Sequence, residues 1–188
     1  MKKAIFIVSL FFTISTNAET LKEIIKTLGG ETSEKVFYKD IVNEVVVVNS
    51  NMKARFGGGN TRAVIKVNLP KGTKHWYYRV TVTELNSYFS FSEKETLFYM
   101  IKENKTPSSV QLTNEGVDFY VIDSNSVSDF RQTGNDNYRH YTSFHKSKTS
   151  GFINMSSFIS DDLWIGIKNP NMKDGLRVIV EVVAYGDF

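Results

Sequence analysis

Cysteine is absent from this chain of 188 residues. Disulfide staples, thiol catalysis, thiolate metal sites and the modified cysteine of a bacterial lipoprotein are excluded with it. The fold must rest on a hydrophobic core, which this length supports because such a domain buries about 70% of its unfolded surface. Histidine is scarce too: His75, His140 and His145 are the full set. On a strand, His140 and His145 point to opposite faces, and no HExxH-like spacing occurs, so neither a metal grip nor a cofactor motif is expected. No long basic run favours nucleic acid. The apolar run near the start, from Ala4 to Phe12, falls short of the roughly 20 residues a spanning helix needs, so no stable membrane insertion is expected.

That run carries an address instead. Lys2 and Lys3 precede it, and Thr16-Asn17-Ala18 places small residues three and one positions before a cut. This is the three-part layout of a secretory signal peptide. The expected organisation is a signal peptide at residues 1–18 and one exported domain at 19–188, periplasmic or extracellular, in keeping with a cysteine-free bacterial protein. Loss of Lys2 and Lys3 lowers 23 basic residues to 21 against 20 acidic ones, so the formal charge falls from +3 to +1.

The domain opens with a short helix. Thr20 and Glu23 form a capping-box pair, Leu21, Ile24, Ile25 and Leu28 make one apolar stripe, and Gly29-Gly30 ends it. Strand signals dominate afterwards. Residues 41–48 are β-branched and almost wholly apolar, which suits a strand covered on both faces. Gly57-Gly58-Gly59 marks a turn. Ala63, Ile65, Val67 and Leu69 then alternate with polar residues, as do Trp76, Tyr78, Val80 and Val82 with Tyr77, Arg79, Thr81 and Thr83. Residues 92–103 read as a helical insertion, with Ser92 and Glu95 at its start and Leu97, Phe98 and Ile101 on its apolar face. Further strands are expected at Val117, Phe119 and Val121, more weakly at 138–144 and 151–153, and clearly at Leu163, Ile165 and Ile167 and from Leu176 to Ala184. The turn-rich 169–175 segment suggests that the last two pair as a hairpin. About eight strands with small helices, no repeat and no second domain predict an all-β fold, a single antiparallel β-sandwich of jelly-roll-like outline.

Val117-Asp118-Phe119-Tyr120-Val121-Ile122-Asp123 leads into residues 124–132, where Val127 and Phe130 seat a short helix. Leu163-Trp164-Ile165-Gly166-Ile167-Lys168-Asn169 and a Val/Ile-rich last strand follow. This order, over residues 116–186, resembles the C-terminal half of GOLD-type and bacterial pre-peptidase C-terminal β-sandwich domains. The resemblance implies a GOLD-like sandwich and a non-catalytic accessory or interaction module, and carries over no catalytic residue.

Chemistry-bearing patterns are weak. Ser143, His140 and Asp136 lie close together but in no nucleophile elbow. Spacing singles out no pair among Glu84, Asp118, Asp123 and Asp161. The triple glycine with Arg55 and Arg62 could form an anion-binding concavity, but it lacks the P-loop lysine. Aromatics are more suggestive: Trp76, Tyr77, Tyr78, Tyr88, Phe89, Phe91, Tyr138 and Tyr141 exceed what one core face absorbs. Alternation turns Tyr77 outward when Trp76 and Tyr78 point in. Tyr77, Tyr88, Tyr138 and Tyr141, with His140 and Arg79, are the candidate binding residues, for a protein or glycan partner. The competing structural expectation is that the 92–103 helix covers this face. A lipid-contacting, toxin-like protein and a hydrolase are the alternatives, the first through interfacial aromatics.

Overall fold

The alternating segments fold as eight strands: β1 (Val36–Val48), β2 (Arg62–Val67), β3 (Thr73–Glu84), β4 (Val117–Ile122), β5 (Lys146–Lys148), β6 (Ser150–Asn154), β7 (Leu163–Lys168) and β8 (Leu176–Asp187). The computed structural model describes residues 36–107, 110, 112–132, 136–141, 146–148, 150–155 and 158–187. The expected signal peptide, the 20–28 helix, Ser143, His145 and residues 142–144 of the expected 138–144 strand lie outside the described residues.

The strands form two antiparallel four-stranded sheets, ordered β1-β8-β3-β6 and β2-β7-β4-β5. The pairs β1·β8, β2·β7, β3·β6 and β4·β5 are nested, so the chain doubles back between β4 and β5. This long ribbon is wrapped so that β3 also meets β8 and β4 meets β7. The result is an all-β sandwich wound as a jelly roll. The expected β7–β8 hairpin does not form, because the two strands lie in different sheets. Buried Asn169 instead turns the chain from one sheet to the other. Its amide group donates to the carbonyls of Val48, Asn49 and Asp174, and its Oδ1 accepts from the Asn171 N–H.

Between the sheets, Val80, Val82, Val178, Val180 and Val182 face Val117, Val121, Ile165 and Ile167 in one core. Tyr78 stacks on Phe119 across the layers at 4.7 Å. The expectation of a strand covered on both faces at 41–48 is corrected: β1 is an edge strand, and Val45 and Val47 on it are about half exposed. A register shift between Asp40 and Val42 marks a bulge at Ile41, which lets both Ile41 and Val42 pack on the core.

Three short helices decorate the strands. Helix α1 (Asn51–Phe56) was not foreseen, because it buries no residue and so shows no apolar stripe; its one mark is the Ser50 cap, which accepts from the Lys53 N–H. The expected 92–103 helix forms in two pieces. A 3₁₀ turn (Glu93–Glu95) carries the Ser92/Glu95 capping box, then Thr96 adopts an extended conformation and caps α2 (Leu97–Lys102). Helix α3 (Ser124–Arg131) starts on Asp123, which accepts from the Ser126 N–H.

Val180 is fully buried between Glu44 of β1 and Val80 of β3. Val180→Asp places an unpaired charge there and is expected to destabilise the domain by more than ~4 kcal/mol. Thermal melting checks this, and an unchanged melting temperature would contradict the register of β8.

Candidate functional site

On the outer face of the first sheet, alternation does turn Tyr77 and Arg79 away from the core, but neither reaches solvent. Tyr77 is 4% exposed and lies flat on Phe152, with ring centroids 5.6 Å apart. Arg79 is fully buried and donates through Nε to Glu181 Oε2 at 2.6 Å and through Nη2 to the Glu95 carbonyl at 2.7 Å. Its guanidinium lies 3.8 Å from the Phe91 ring centre, and the Leu97 N–H donates to the other oxygen of Glu181 at 2.8 Å. The 3₁₀ turn and α2 are thus pinned across β3 and β8 by a buried ion pair. Tyr77 and Arg79 are corrected from ligand contacts to parts of this covered face.

The outer face of the second sheet is built differently. Tyr120, Ile122, Val64 and Trp164 point outward and meet Phe130 and Val127 of α3. Gly166 makes room for this helix: a Cβ there would lie 2.8 Å from the Phe130 ring. Beyond the end of α3 the chain runs back beside β4, where the Tyr141 N–H donates to the Val121 carbonyl. This return path lays Tyr138 and His140 against Tyr120, with ring centroids 5.4 and 5.2 Å away, both edge to face. Tyr138 also meets Phe130 at 4.8 Å. Tyr138 and His140 stay half-buried, each with part of its surface open to solvent. Tyr141, one residue further, turns to the other side, packs on Phe158 at 4.5 Å and lies half-buried against the main core. It therefore does not share the surface of Tyr138 and His140.

Charges border these rings. Arg62, at the start of β2, lies beneath them with only 2% of its side chain exposed. It donates to the carbonyls of Phe130 and Gln132 at the end of α3 and to Asp136 Oδ1 at 2.7 Å. Lys168, ending β7, donates to the same oxygen at 2.9 Å. The hydrogen bond from Lys168, with the charges of Lys168 and Arg62, holds the Asp136 carboxyl below the usual carboxylate range. The Asp136 side chain is nonetheless 67% exposed, so it faces solvent already ionised and oriented. Burial, helped by a hydrogen bond with Tyr138, pushes the Tyr120 hydroxyl far above the ordinary phenol range.

Of the candidates, the structure brings Tyr138 and His140 together. Tyr88 stands apart in the segment after β3, 93% exposed. Arg62 is engaged under α3, so it forms no anion concavity with the triple glycine, which ends α1 instead. Among the described residues, no group of three His, Cys, Asp or Glu side chains is placed to hold a metal ion. An open groove runs between Glu84, Leu85, Thr113, Glu115 and Lys173, with no buried polar cluster among the described residues that line it. Tyr120 and Lys168 escaped sequence reading, because each sits in an alternating strand where an outward polar or aromatic residue is unremarkable.

Two tests follow from these geometries. Arg79→Met strands the Glu181 carboxylate in a buried site and should cost about 3–5 kcal/mol in urea unfolding, while Arg79→Met with Glu181→Met should recover part of it. For Asp136, the depressed folded value means its stabilisation is complete above the unfolded carboxylate pKa near about 4 and is lost as pH falls through the folded value. The stability gap between wild type and Asp136→Asn, below about 1 kcal/mol because the carboxylate is exposed to screening, should close on acidification. A gap that widens at low pH would contradict the Lys168 and Arg62 contacts. Comparison of the chain with models of known protein families and with curated proteins gave no match.

Proposed function

We propose that this protein is an exported, non-catalytic β-sandwich that binds a protein or glycan partner at the outer face of its second sheet. The observation that carries this reading is the juxtaposition of half-buried Tyr138 and His140, each still partly open to solvent, with an exposed, pre-oriented Asp136 carboxylate. Ring faces and edges take apolar CH groups, and a fixed carboxylate flanked by Lys168 takes hydroxyl or amide donors. Rigidity favours binding: the rings are mutually packed, and Arg62 ties the end of α3 to Asp136, so little ordering remains to be done when a ligand arrives.

The direction of the electrostatics also supports binding over acid–base chemistry. The carboxyl of Asp136 is moved down and the hydroxyl of Tyr120 up, so both are pushed further from neutral pH. A general acid or base needs the opposite tuning, toward the working pH. The resemblance of residues 116–186 to non-catalytic accessory domains points the same way, and jelly rolls include lectins among many unrelated functions, which is a fold-level analogy only.

Glycan arrays and pull-downs with the purified protein test the reading. Tyr138→Ala and His140→Ala should each weaken the captured interaction roughly tenfold or more while His140→Ala leaves the melting temperature near that of wild type. Failure to capture any glycan or protein, or capture that both variants leave intact, would overturn it.

A further inference from the structure

At one end of the sandwich, α1 is clamped onto the connection between β7 and β8. The backbone N–H groups of Asn51 and Met52 donate to the carbonyls of Asn171 and Met172, each at 3.0 Å. The Asn51 side-chain amide donates to the carbonyls of Pro170 and Asn171, both at 3.1 Å. A helix of one and a half turns has little stability of its own in water, so these bonds and the Ser50 cap hold it in place. No residue of α1 is buried.

What this clamp presents is apolar. Phe56 is 86% exposed, Met52 47% and Met172 52%. Met52 and Phe56 are four residues apart on one helix and share a face. The Met52–Met172 backbone bond brings the second methionine alongside. Lys53 and Arg55 lie on the same helix, both exposed, while Lys173 and Asp174 of the connection line a groove with Glu84 and Glu115. Gly57, Gly58 and Gly59 then return the chain to β2; Gly58 and Gly59 have φ of 80° and 97°, and a side chain at Gly59 would run into Asn49. The tip therefore carries three large apolar side chains, with the two cations of α1 beside them. Isolated exposed hydrophobic residues are commonplace, but a clamped apolar group that shares its helix with Lys53 and Arg55 matches an interface that is apolar inside and anionic outside.

We propose that this tip is a peripheral membrane contact. Phe56, Met52 and Met172 enter the headgroup region of a bilayer containing anionic lipids, and Lys53 and Arg55 meet its phosphates. The contact is shallow, in keeping with the absence of any described helix long and apolar enough to cross a membrane. It uses residues separate from the Tyr138–His140 surface, so a partner held there would be held at a membrane.

Co-sedimentation of protein purified from cells expressing the full chain decides the matter, using phosphatidylcholine vesicles with and without phosphatidylglycerol. Binding is expected to the mixed vesicles and to fall with added salt. Lys53→Ala with Arg55→Ala should lower partitioning about thirtyfold, the loss two interfacial cations carry. Phe56→Ser should also lower it while leaving the melting temperature and Tyr138-dependent partner capture unchanged. Absence of binding, equal binding to both vesicle types, or binding indifferent to Phe56→Ser would each overturn the proposal. So would concentration-dependent self-association that Phe56→Ser abolishes, since the tip would then be covered by a second copy.

Discussion

A strand inside a two-layer sandwich ordinarily shows one face to water, yet β3 and β8 are buried on both faces over nearly their whole length. Their inner faces make the common core, and their outer faces need a cover. The segment between β3 and β4 supplies it, and the fit turns on Arg79 and Glu181, which sit opposite one another in the β3·β8 ladder. Two charges withdrawn from water require mutual pairing and further hydrogen bonds. The Glu95 carbonyl, the Leu97 N–H and the Phe91 ring provide them. The ion pair therefore selects one placement of the insertion over others that would cover the same apolar area.

Much of the architecture could be read from alternation alone. The strands at 62–67, 73–84, 117–122, 163–168 and 176–187 all follow a period-2 pattern, and the capping signal at Ser92 marks the true start of a helical turn. Wrapping could not be read so easily, because period 2 states which face is inward and says nothing of which neighbour lies alongside. Thus the turn-rich segment after β7 looks like a hairpin loop, although it carries the chain between sheets through buried Asn169.

The candidate site was legible to a similar depth. Tyr138 and His140 are two apart, the separation that puts side chains on one face of an extended chain, and they do share a surface. Tyr77 obeys the same rule and points outward, but outward in this sheet means flat against Phe152. Direction is a local property, whereas exposure depends on segments distant in sequence. For the same reason Arg62, which reads as half of an anion site beside the glycines, serves as a buried tie across α3.

Nested pairing has a kinetic side. The innermost pair, β4 with β5, joins segments near in sequence, and each pair outward joins more distant ones, until Val36 meets Asp187. Loop-closure entropy makes the outer pairs slow, and no amount of local propensity shortens that wait. Strand β1, valine-rich and lying at the sheet edge, has no partner until the last strand has been synthesised. Its bulge at Ile41 and its charged Lys39, Asp40 and Glu44 are the features by which such a strand avoids the wrong neighbours in the interval.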